Sequence, residues 1–293
     1  MSRNRATAIG FTAILMWSVL AVLTVRTAPV PPFLLTALCF AIGGTLGLVW
    51  TAATGRLHLL ARVPLPAMLF GIAGLFGYHF CYFSALRLAP AAEAGLIAYL
   101  WPLFIVLLSG LMPGERITGR HVLGALLAFA GVALILIGRG AGFQAAALPG
   151  YALALACAVI WAVYSVGSRR FGAVPTEAVT IFCLATAVLS AFAHLAMETT
   201  AWPQGAGGWI AVVALGLGPL GAAFFTWDVG MKRGDLPLLG VASYAAPLLS
   251  TLILVLAGAA AARWQLAAAA VLIVGGAALA ARAGPRVSAA KDG

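Results

Sequence analysis

Apolar runs of about 20 residues follow one another along almost the whole chain, separated only by short segments of arginine, lysine, proline or glycine. Of the 293 residues, 63% are hydrophobic and 8% are charged, whereas a soluble domain carries roughly 25% charged residues. No water-soluble interior holds this much apolar surface. Within a bilayer only helices and closed barrels satisfy the backbone, and these runs do not alternate as barrel strands do. The sequence therefore predicts an all-α integral membrane protein.

Ten of these runs are long enough to cross a membrane as helices. Proline stands near the start of several, where its missing N–H is tolerated, and Glu93, Glu177 and Asp235 lie at first turns, where carboxylates suit the helix dipole. No clear small-residue cleavage site precedes the second run, so we expect MSRNR to lead into a retained first helix rather than a signal peptide. The predicted spans are residues 6–25, 32–53, 65–86, 90–112, 121–138, 149–167, 175–198, 206–228, 236–259 and 264–281.

The basic residues divide unevenly between the two sides of the predicted membrane. Ten spans put both termini on one side, and if this side is the cytoplasm, thirteen of the seventeen lysine and arginine residues are cytoplasmic. The other four are Arg26, Arg87, Arg139 and Arg263. This positive-inside pattern explains the net charge of +10 without a nucleic-acid partner. Fifteen arginines against two lysines are typical of a GC-rich bacterial genome, so we expect a bacterial inner-membrane protein with cytoplasmic termini.

One segment occurs twice in the chain. GLIAYLWPLFIVLLS at residues 95–109 and GVASYAAPLLSTLIL at residues 240–254 share glycine, tyrosine and proline at an offset of 145. Trp17 and Trp161 match at an offset of 144. Each half holds five spans, so the second half must enter the membrane from the opposite side. This is the inverted repeat found in many secondary transporters, and we expect the two repeats to be residues 1–144 and 145–293.

The stretch ALRLAPAAEAGLIAYLWPLFIVLLS, followed by GERITGRHVLGALLAFAGVALIL, resembles the EamA-like branch of the drug/metabolite transporter superfamily. The second half departs from that pattern, because Ala260 stands at the position that matches Glu115. The resemblance implies a basket-like fold of two inverted five-helix repeats around a central cavity. The aromatic-rich core is similar to that of bacterial exporters of aromatic amino acids. The positions that carry the resemblance are Pro102, the turn Gly114-Glu115-Arg116, Gly124 and Gly131.

Polar and aromatic side chains at mid-membrane depth are the candidates for a binding site, because polar groups are costly against lipid. Tyr78, His79 and Tyr82 fall on one helical face, which predicts either a cavity wall or a hydrogen-bonded structural cluster. His79 is the best candidate for a proton-linked group. As a set the aromatic residues suit an aromatic ligand, although each alone also fits core packing. The predicted substrate-binding residues are Trp17, Tyr78, His79, Tyr82, Tyr99, Trp101, Trp161, Tyr164, Ser243 and Tyr244.

Pro102 and Pro247 lie near the middle of the fourth and ninth spans, at repeat-related positions. Proline removes a hydrogen bond to the preceding turn and frees a carbonyl, which kinks a helix. Because the repeat is inverted, both prolines fall near the same depth, where transporter sites usually lie. We predict a hinge at each proline, and inherited family geometry is the alternative.

Other marks in the sequence favour structural roles. GLGPLG at residues 216–221 fits GxGxxG, but no strand precedes it, so we expect no nucleotide site. Asp228 and Lys232 are four residues apart and predict a local ion pair. Glu93 favours helix-start chemistry over contact with an ammonium group. No Walker A motif, metal-ligand set or catalytic triad is visible, so we expect no enzyme activity, metal or cofactor. The four cysteines are predicted to be small buried hydrophobes: Cys39, Cys81, Cys157 and Cys183.

The inverted repeat, the mid-membrane aromatic residues and the shortage of buried charge together predict a secondary transporter. The resemblance implies export of aromatic and other apolar amino acids by alternating access. The alternatives are export of other metabolites or organic cations and, from a different class, a membrane-embedded enzyme. The expected partners are a small-molecule substrate and the lipid bilayer, and we expect a monomer.

Overall fold

The computed structural model describes residues 1–113, 115–137, 144–258, 261 and 263–282. These residues form helices and loops without a strand, and ten helices are long and apolar enough to cross a membrane. The predicted fold class is confirmed, and the predicted spans agree with the observed ones to within a few residues. The membrane-spanning helices are α1 Arg3–Val25, α2 Pro32–Ala53, α3 Leu65–Leu88, α4 Ala91–Ser109, α5 Gly119–Leu136, α6 Ala145–Phe171, α7 Ala178–Met197, α8 Gly205–Arg233, α9 Leu236–Leu256 and α10 Trp264–Ala281.

The two ends of the helix bundle differ in their charged residues. At one end, Arg3, Glu115, Arg169 and Asp235 meet in a network of ion pairs. We call this end the N-terminal face, because α1 begins there. The other end carries Arg87, which donates a hydrogen bond to the carbonyl of Met197 at the end of α7. Gly114, Arg139 and Ala260 lie outside the described residues.

The helices pair as an inverted repeat requires. α1 packs along α8. In the repeat, α6 corresponds to α1 and α3 corresponds to α8, and α6 packs along α3 in the same way. α2 packs against its own counterpart α7, and α5 packs against α10. These pairs relate the two halves by a pseudo-twofold axis in the membrane plane, so the predicted inverted repeat is confirmed. The predicted boundary after residue 144 adjoins residues 138–143, which lie outside the described part of the chain.

Glycine allows close approach in two of these helix pairs. In the α5–α10 pair, a Cβ atom on Gly124 would press on the carbonyl of Gly276 and lie 3.3 Å from the Cβ of Ala280. In the α1–α8 pair, a Cβ on Gly10 would lie 2.9 Å from the Cα of Gly230. In lipid, the hydrophobic effect does not drive helices together. Small residues of this kind let helix backbones approach closely, and the van der Waals packing that results favours association.

Four of the spans are interrupted. Proline cannot donate to the carbonyl four residues earlier, and Pro102, Pro219 and Pro247 adjoin three of the interruptions. The chain tightens beside two of them: the N–H of Leu100 donates to Ile97 at 3.0 Å, and that of Tyr244 donates to Val241 at 3.2 Å. The predicted interruptions of α4 and α9 are therefore present. The interruptions lie at Val19 in α1, residues 99–100 in α4, the π-helical Gly218–Ala222 in α8 and residues 243–244 in α9.

Several smaller predictions about polar residues are also confirmed. Glu93 lies in the first turn of α4. The Asp235 carboxylate accepts a hydrogen bond of 3.0 Å from the N–H of Leu238 and so caps α9. All four cysteines are free; Cys39, Cys157 and Cys183 are buried as predicted, whereas Cys81 is only half-buried, against the prediction.

Replacing Gly276 with leucine should destabilise the α5–α10 contact, because the new side chain meets the carbonyl of Gly124. Overpacking of this kind costs about 1–3 kcal/mol, so we expect the Tm in detergent to fall by roughly 2–10 °C. Gly275→Leu is the matched control, because a Cβ there meets nothing within 4 Å. Equal thermal midpoints for the two variants would contradict the described contact.

Candidate functional site

Four tryptophans meet at the centre of the bundle, two from each repeat. The ring of Trp17 on α1 lies 5.1 Å from Trp227 on α8 and 5.9 Å from Trp161 on α6, measured between ring centroids. Trp101 on α4 lies 6.0 Å from Trp227 and 6.2 Å from Trp17, edge to face in both contacts. These separations and tilts are favourable for aromatic rings. We call Trp17, Trp101, Trp161 and Trp227 the tryptophan cluster.

A wall of tyrosines adjoins the tryptophan cluster. Tyr78 and Tyr82, one turn apart on α3, stack with their rings parallel and their centroids 6.0 Å apart. Tyr78 lies 5.2 Å from Trp161, and Trp161 lies 5.4 Å from Tyr164. Helical spacing on α3 therefore does bring Tyr78 and Tyr82 to one face, and this face meets the tryptophans.

His79 turns away from this wall. Its ring is buried edge-on against Phe40 of α2 at 4.9 Å and lies 6.1 Å from Phe224 of α8. Its Nδ1 lies 2.7 Å from the carbonyl of Leu75. A carbonyl only accepts, so Nδ1 carries a hydrogen and donates it to Leu75. The predicted shared face thus holds for the two tyrosines, whereas His79 points between α2 and α8.

The π-helical segment of α8 anchors the tryptophan cluster. Pro219 removes a donor from the helix, and the chain widens into a π turn over Gly218–Ala222. The indole N–H of Trp17 donates to the carbonyl of Pro219 at 3.1 Å. A backbone irregularity in one repeat therefore fixes a side chain of the other. The motif GLGPLG, which was not expected to bind a nucleotide, has this structural role.

Trp227 is held in a similar way. Its indole N–H donates to the hydroxyl of Ser165 on α6 at 3.0 Å. The ring is 1% exposed, so this bond satisfies a donor that water does not reach. The bond also ties α8 to α6, both from the second repeat.

Sequence reasoning missed Trp227, Phe224 and Ser165. The repeat carried a signal for the first two, because the offset of 145 that matches Phe80 with Phe225 also matches Tyr82 with Trp227 and His79 with Phe224. Extending the repeat along α8 residue by residue would have identified both aromatic residues. No pattern in the sequence singles out Ser165.

Two of the predicted site residues, Tyr99 and Tyr244, lie in a second cluster, towards α5 and α10. Tyr244 is fully buried there, 6.2 Å from Phe129. Tyr99 packs against the same cluster. The hydroxyl of Ser243 donates to the carbonyl of Leu239 at 2.7 Å within α9. The structure therefore places Tyr99, Ser243 and Tyr244 at the helix interruptions.

The exposure of the aromatic rings changes along the bundle axis. Trp227 and Trp161, with 1% and 3% of their surface exposed, are buried, whereas Trp17, Tyr78 and Tyr82 are half-buried. On α1, the segment Arg3–Ser18 contains buried residues, but the segment Leu20–Val25 beyond the cluster contains none. The centre is thus filled on the side of the N-terminal face and becomes more open towards the opposite face.

The N-terminal face is closed by ion pairs that cross between the repeats. Glu115, in the turn between α4 and α5, accepts from Arg3 at 2.9 Å and also pairs with Arg169 at the end of α6. Arg3 reaches Asp235 at 3.1 Å, and Arg169 donates to the carbonyl of Met231 at 3.0 Å. We call Arg3, Glu115, Arg169 and Asp235 the face network. In the described part of the chain, no three His, Cys, Asp or Glu side chains form a group that could hold a metal ion.

Comparisons with known proteins agree with this architecture. The profile of the EamA-like transporter family matches residues 5–137 and again residues 148–282. The aromatic amino acid exporter YddG of Ancylobacter novellus is 62% identical over 260 residues, which are 88% of this chain and 90% of that protein. YddG of Escherichia coli is 27% identical over 263 residues, 86% of this chain and 88% of that protein. A crystal structure of a protein 60% identical in sequence gives a TM-score of 0.93 and covers 96% of this chain and 98% of its own.

Glu115→Gln should loosen the N-terminal face, because it leaves Arg3 and Arg169 without their shared carboxylate. Breaking a largely buried ion pair costs a few kcal/mol, so we expect backbone amides near Arg169 to exchange hydrogen at least ~10-fold faster. Mass spectrometry of deuterated peptides measures this exchange.

Glu177→Gln is the control for that experiment. Glu177 pairs with Arg56 at 3.1 Å on the same face, outside the face network. Exchange near Arg169 should be unchanged in this variant. If both variants gave the same protection, Glu115 would not hold the face closed.

Proposed function

Because the chain belongs to the EamA-like transporter family, we propose that it is a secondary transporter that exports aromatic and other largely apolar amino acids by alternating access. The observation that carries this proposal is the tryptophan cluster, in which each repeat contributes two indoles at the repeat interface. Transporter sites usually lie at such an interface near the bilayer midplane. The exporter relatives act on aromatic amino acids according to their names, which supports the same substrate class here.

The half-buried rings on the open side of the cluster form the proposed substrate site. Trp17, Tyr78 and Tyr82 offer ring faces for stacking, and the hydroxyl groups of the two tyrosines suit the head group of an amino acid, whereas the Trp17 N–H is held by Pro219. Trp101, Trp161 and Tyr164 form the buried base beneath them. We assign His79 to the support of this wall, through its bond to Leu75 and its contact with Phe40.

Movement between the two access states is assigned to the interrupted helices. Pro102 and Pro247 stand at related positions of α4 and α9, and Tyr99, Ser243 and Tyr244 lie at the same interruptions. A helix with a missing backbone bond bends there at low cost, which makes these positions hinges. The two repeats, divided after residue 144, then rock against each other around the tryptophan cluster.

The chain is a multi-pass membrane protein, and we place both termini in the cytoplasm of a bacterial inner membrane. The excess of arginine and lysine at the N-terminal face supports this orientation. Under it, the face network closes the cytoplasmic side, and the half-buried rings face the outside. One chain supplies both repeats, so we take the monomer to be the functional unit and assign no enzyme activity to it.

Trp101→Ala should weaken substrate binding, because it removes one ring from the base of the proposed site. An aromatic contact is worth about 0.5–1.5 kcal/mol beyond its area, so we expect the KM for tryptophan to rise roughly 3–10-fold or more. The assay is uptake of radiolabelled tryptophan, phenylalanine and threonine into proteoliposomes. Trp202→Ala, which alters an exposed ring stacked on Trp209 outside the cluster, should leave KM unchanged.

Two outcomes of this assay would contradict the proposal. If wild-type protein carried organic cations or sugars but no aromatic amino acid, the substrate class would be wrong. If tryptophan were carried equally well by Trp101→Ala and by wild type, the cluster would be a structural core and the site would lie elsewhere.

Single cysteines, introduced into a variant whose four native cysteines are replaced by alanine, test the proposed orientation. Arg62→Cys lies in an exposed loop at the N-terminal face, and Arg26→Cys lies in an exposed loop at the opposite face. In spheroplasts, a membrane-impermeant maleimide should label position 26. Position 62 should stay unlabelled until the inner membrane is permeabilised. The reverse pattern would place the termini outside.

A further inference from the structure

The predicted ion pair of α8 is present, but it is buried. The Asp228 carboxylate and the Lys232 ammonium lie 2.9 Å apart, with 1% and 5% of their side chains exposed. Asp228 also accepts from the hydroxyl of Thr176 at 2.7 Å, and Lys232 donates to the carbonyl of Val174 at 3.0 Å. Each member of the pair therefore has a second hydrogen-bond partner, and the pair lies between α8 and the chain that leads into α7.

A small void adjoins this pair. It holds about 10 Å³, about the volume that one water needs, and aromatic rings form much of its wall. Tyr164 lines the void and also contacts Trp161 of the tryptophan cluster at 5.4 Å. Phe70 links the two sides of the void, 5.9 Å from Tyr164 and 5.2 Å from Phe171. A continuous aromatic path thus runs from the ion pair to the proposed substrate site.

A buried ion pair stabilises a fold poorly, because the cost of removing two charges from water rivals their attraction. The same pair is well suited to exchange partners with a zwitterion. An ammonium group that reaches Asp228 and a carboxylate that reaches Lys232 replace one buried ion pair with two. Every charge is paired both before and after this exchange, and so a free amino acid enters the low-dielectric region without a net charge to bury.

We propose that Asp228 and Lys232 form a loading site for the head group of an α-amino acid on the N-terminal face. Asp228 receives the α-ammonium group, Lys232 receives the α-carboxylate, and the aromatic lining of the void receives the side chain. The site is closed in this structure and opens with the N-terminal face. This inference rests on the proposed function, and it adds recognition of the zwitterion to recognition of the ring.

The test compares tryptophan with tryptophan amide, which lacks the carboxylate charge, in inside-out membrane vesicles. Loss of one partner of a buried charge pair costs roughly 30-fold or more in binding. Lys232→Met should therefore raise the KM for tryptophan by that factor without weakening inhibition by the amide, which has no carboxylate for Lys232 to receive. Asp228→Asn should likewise raise the KM for tryptophan without weakening inhibition by indole-3-propionate, which lacks the ammonium group.

Two further variants separate recognition from folding. Asp228→Asn combined with Lys232→Met leaves no unpaired buried charge, so it should fold and should lose discrimination against both analogues. Arg56→Gln breaks the Arg56–Glu177 pair on the same face, away from the void, and should keep wild-type discrimination.

The outcomes distinguish this inference from the proposed function. If wild-type vesicles carry no aromatic amino acid, the proposed function fails. If wild type carries tryptophan and the folded double variant still rejects both analogues, the loading site is wrong and the proposed function stands. Equal weakening of acid and amide in Lys232→Met would also overturn it, because a structural role affects both compounds alike.

Discussion

Backbone polar groups inside a bilayer have no water to bind, so a membrane-spanning segment normally stays helical along its whole length. The architecture of this protein depends on the few positions at which its helices are interrupted. Pro102, Pro219 and Pro247 each remove a backbone donor at membrane depth. The backbone forms tighter turns at these points in α4 and α9, and a π turn in α8. The π turn presents the carbonyl that receives the indole of Trp17. The residues at the centre of the molecule are therefore positioned by interrupted helices, and the long regular helices around them hold the interruptions in place.

The sequence alone was sufficient for the features that depend on local or periodic signals. Ten apolar runs predicted ten spans because the thickness of a bilayer sets the length of each run. The offsets of 144 and 145 predicted the inverted repeat, and proline predicted where α4 and α9 are interrupted. The aromatic residues proposed for the site were chosen as a set, because a set suits an aromatic ligand although each ring alone also fits core packing. Trp17, Trp101, Trp161, Tyr78 and Tyr82 do come together.

The features that were not predicted depend on how the helices rotate relative to each other. A helical wheel fails across an interruption, and so Tyr244 faces a second cluster although its position along α9 is right. His79 turns to Phe40 because α2 supplies a ring there, which no pattern within α3 reveals. The spacing of Asp228 and Lys232 predicted their contact and gave no sign of their burial, which is set by α7 and its preceding loop. The contacts with Phe40, Thr176 and Val174 are all between segments distant in sequence.

The anchor of Trp17 has a consequence for kinetics. Pro219 corresponds to Gly74 in the first repeat, and Gly74 lies in the uninterrupted helix Leu65–Leu88, whose carbonyls bond within the helix. Among the described residues, no matching bond joins the indole of the repeat-related Trp161 to the carbonyl of Gly74, so the two repeats are not equivalent and the two end states of the carrier are not mirror images. Conformers that differ in their bonds differ in free energy and in population. For an uncoupled carrier, half-saturation then occurs at different amino acid concentrations on the two sides of the membrane. The maximal rates in the two directions differ by the same factor as the half-saturating concentrations, because a passive carrier cannot create a concentration gradient.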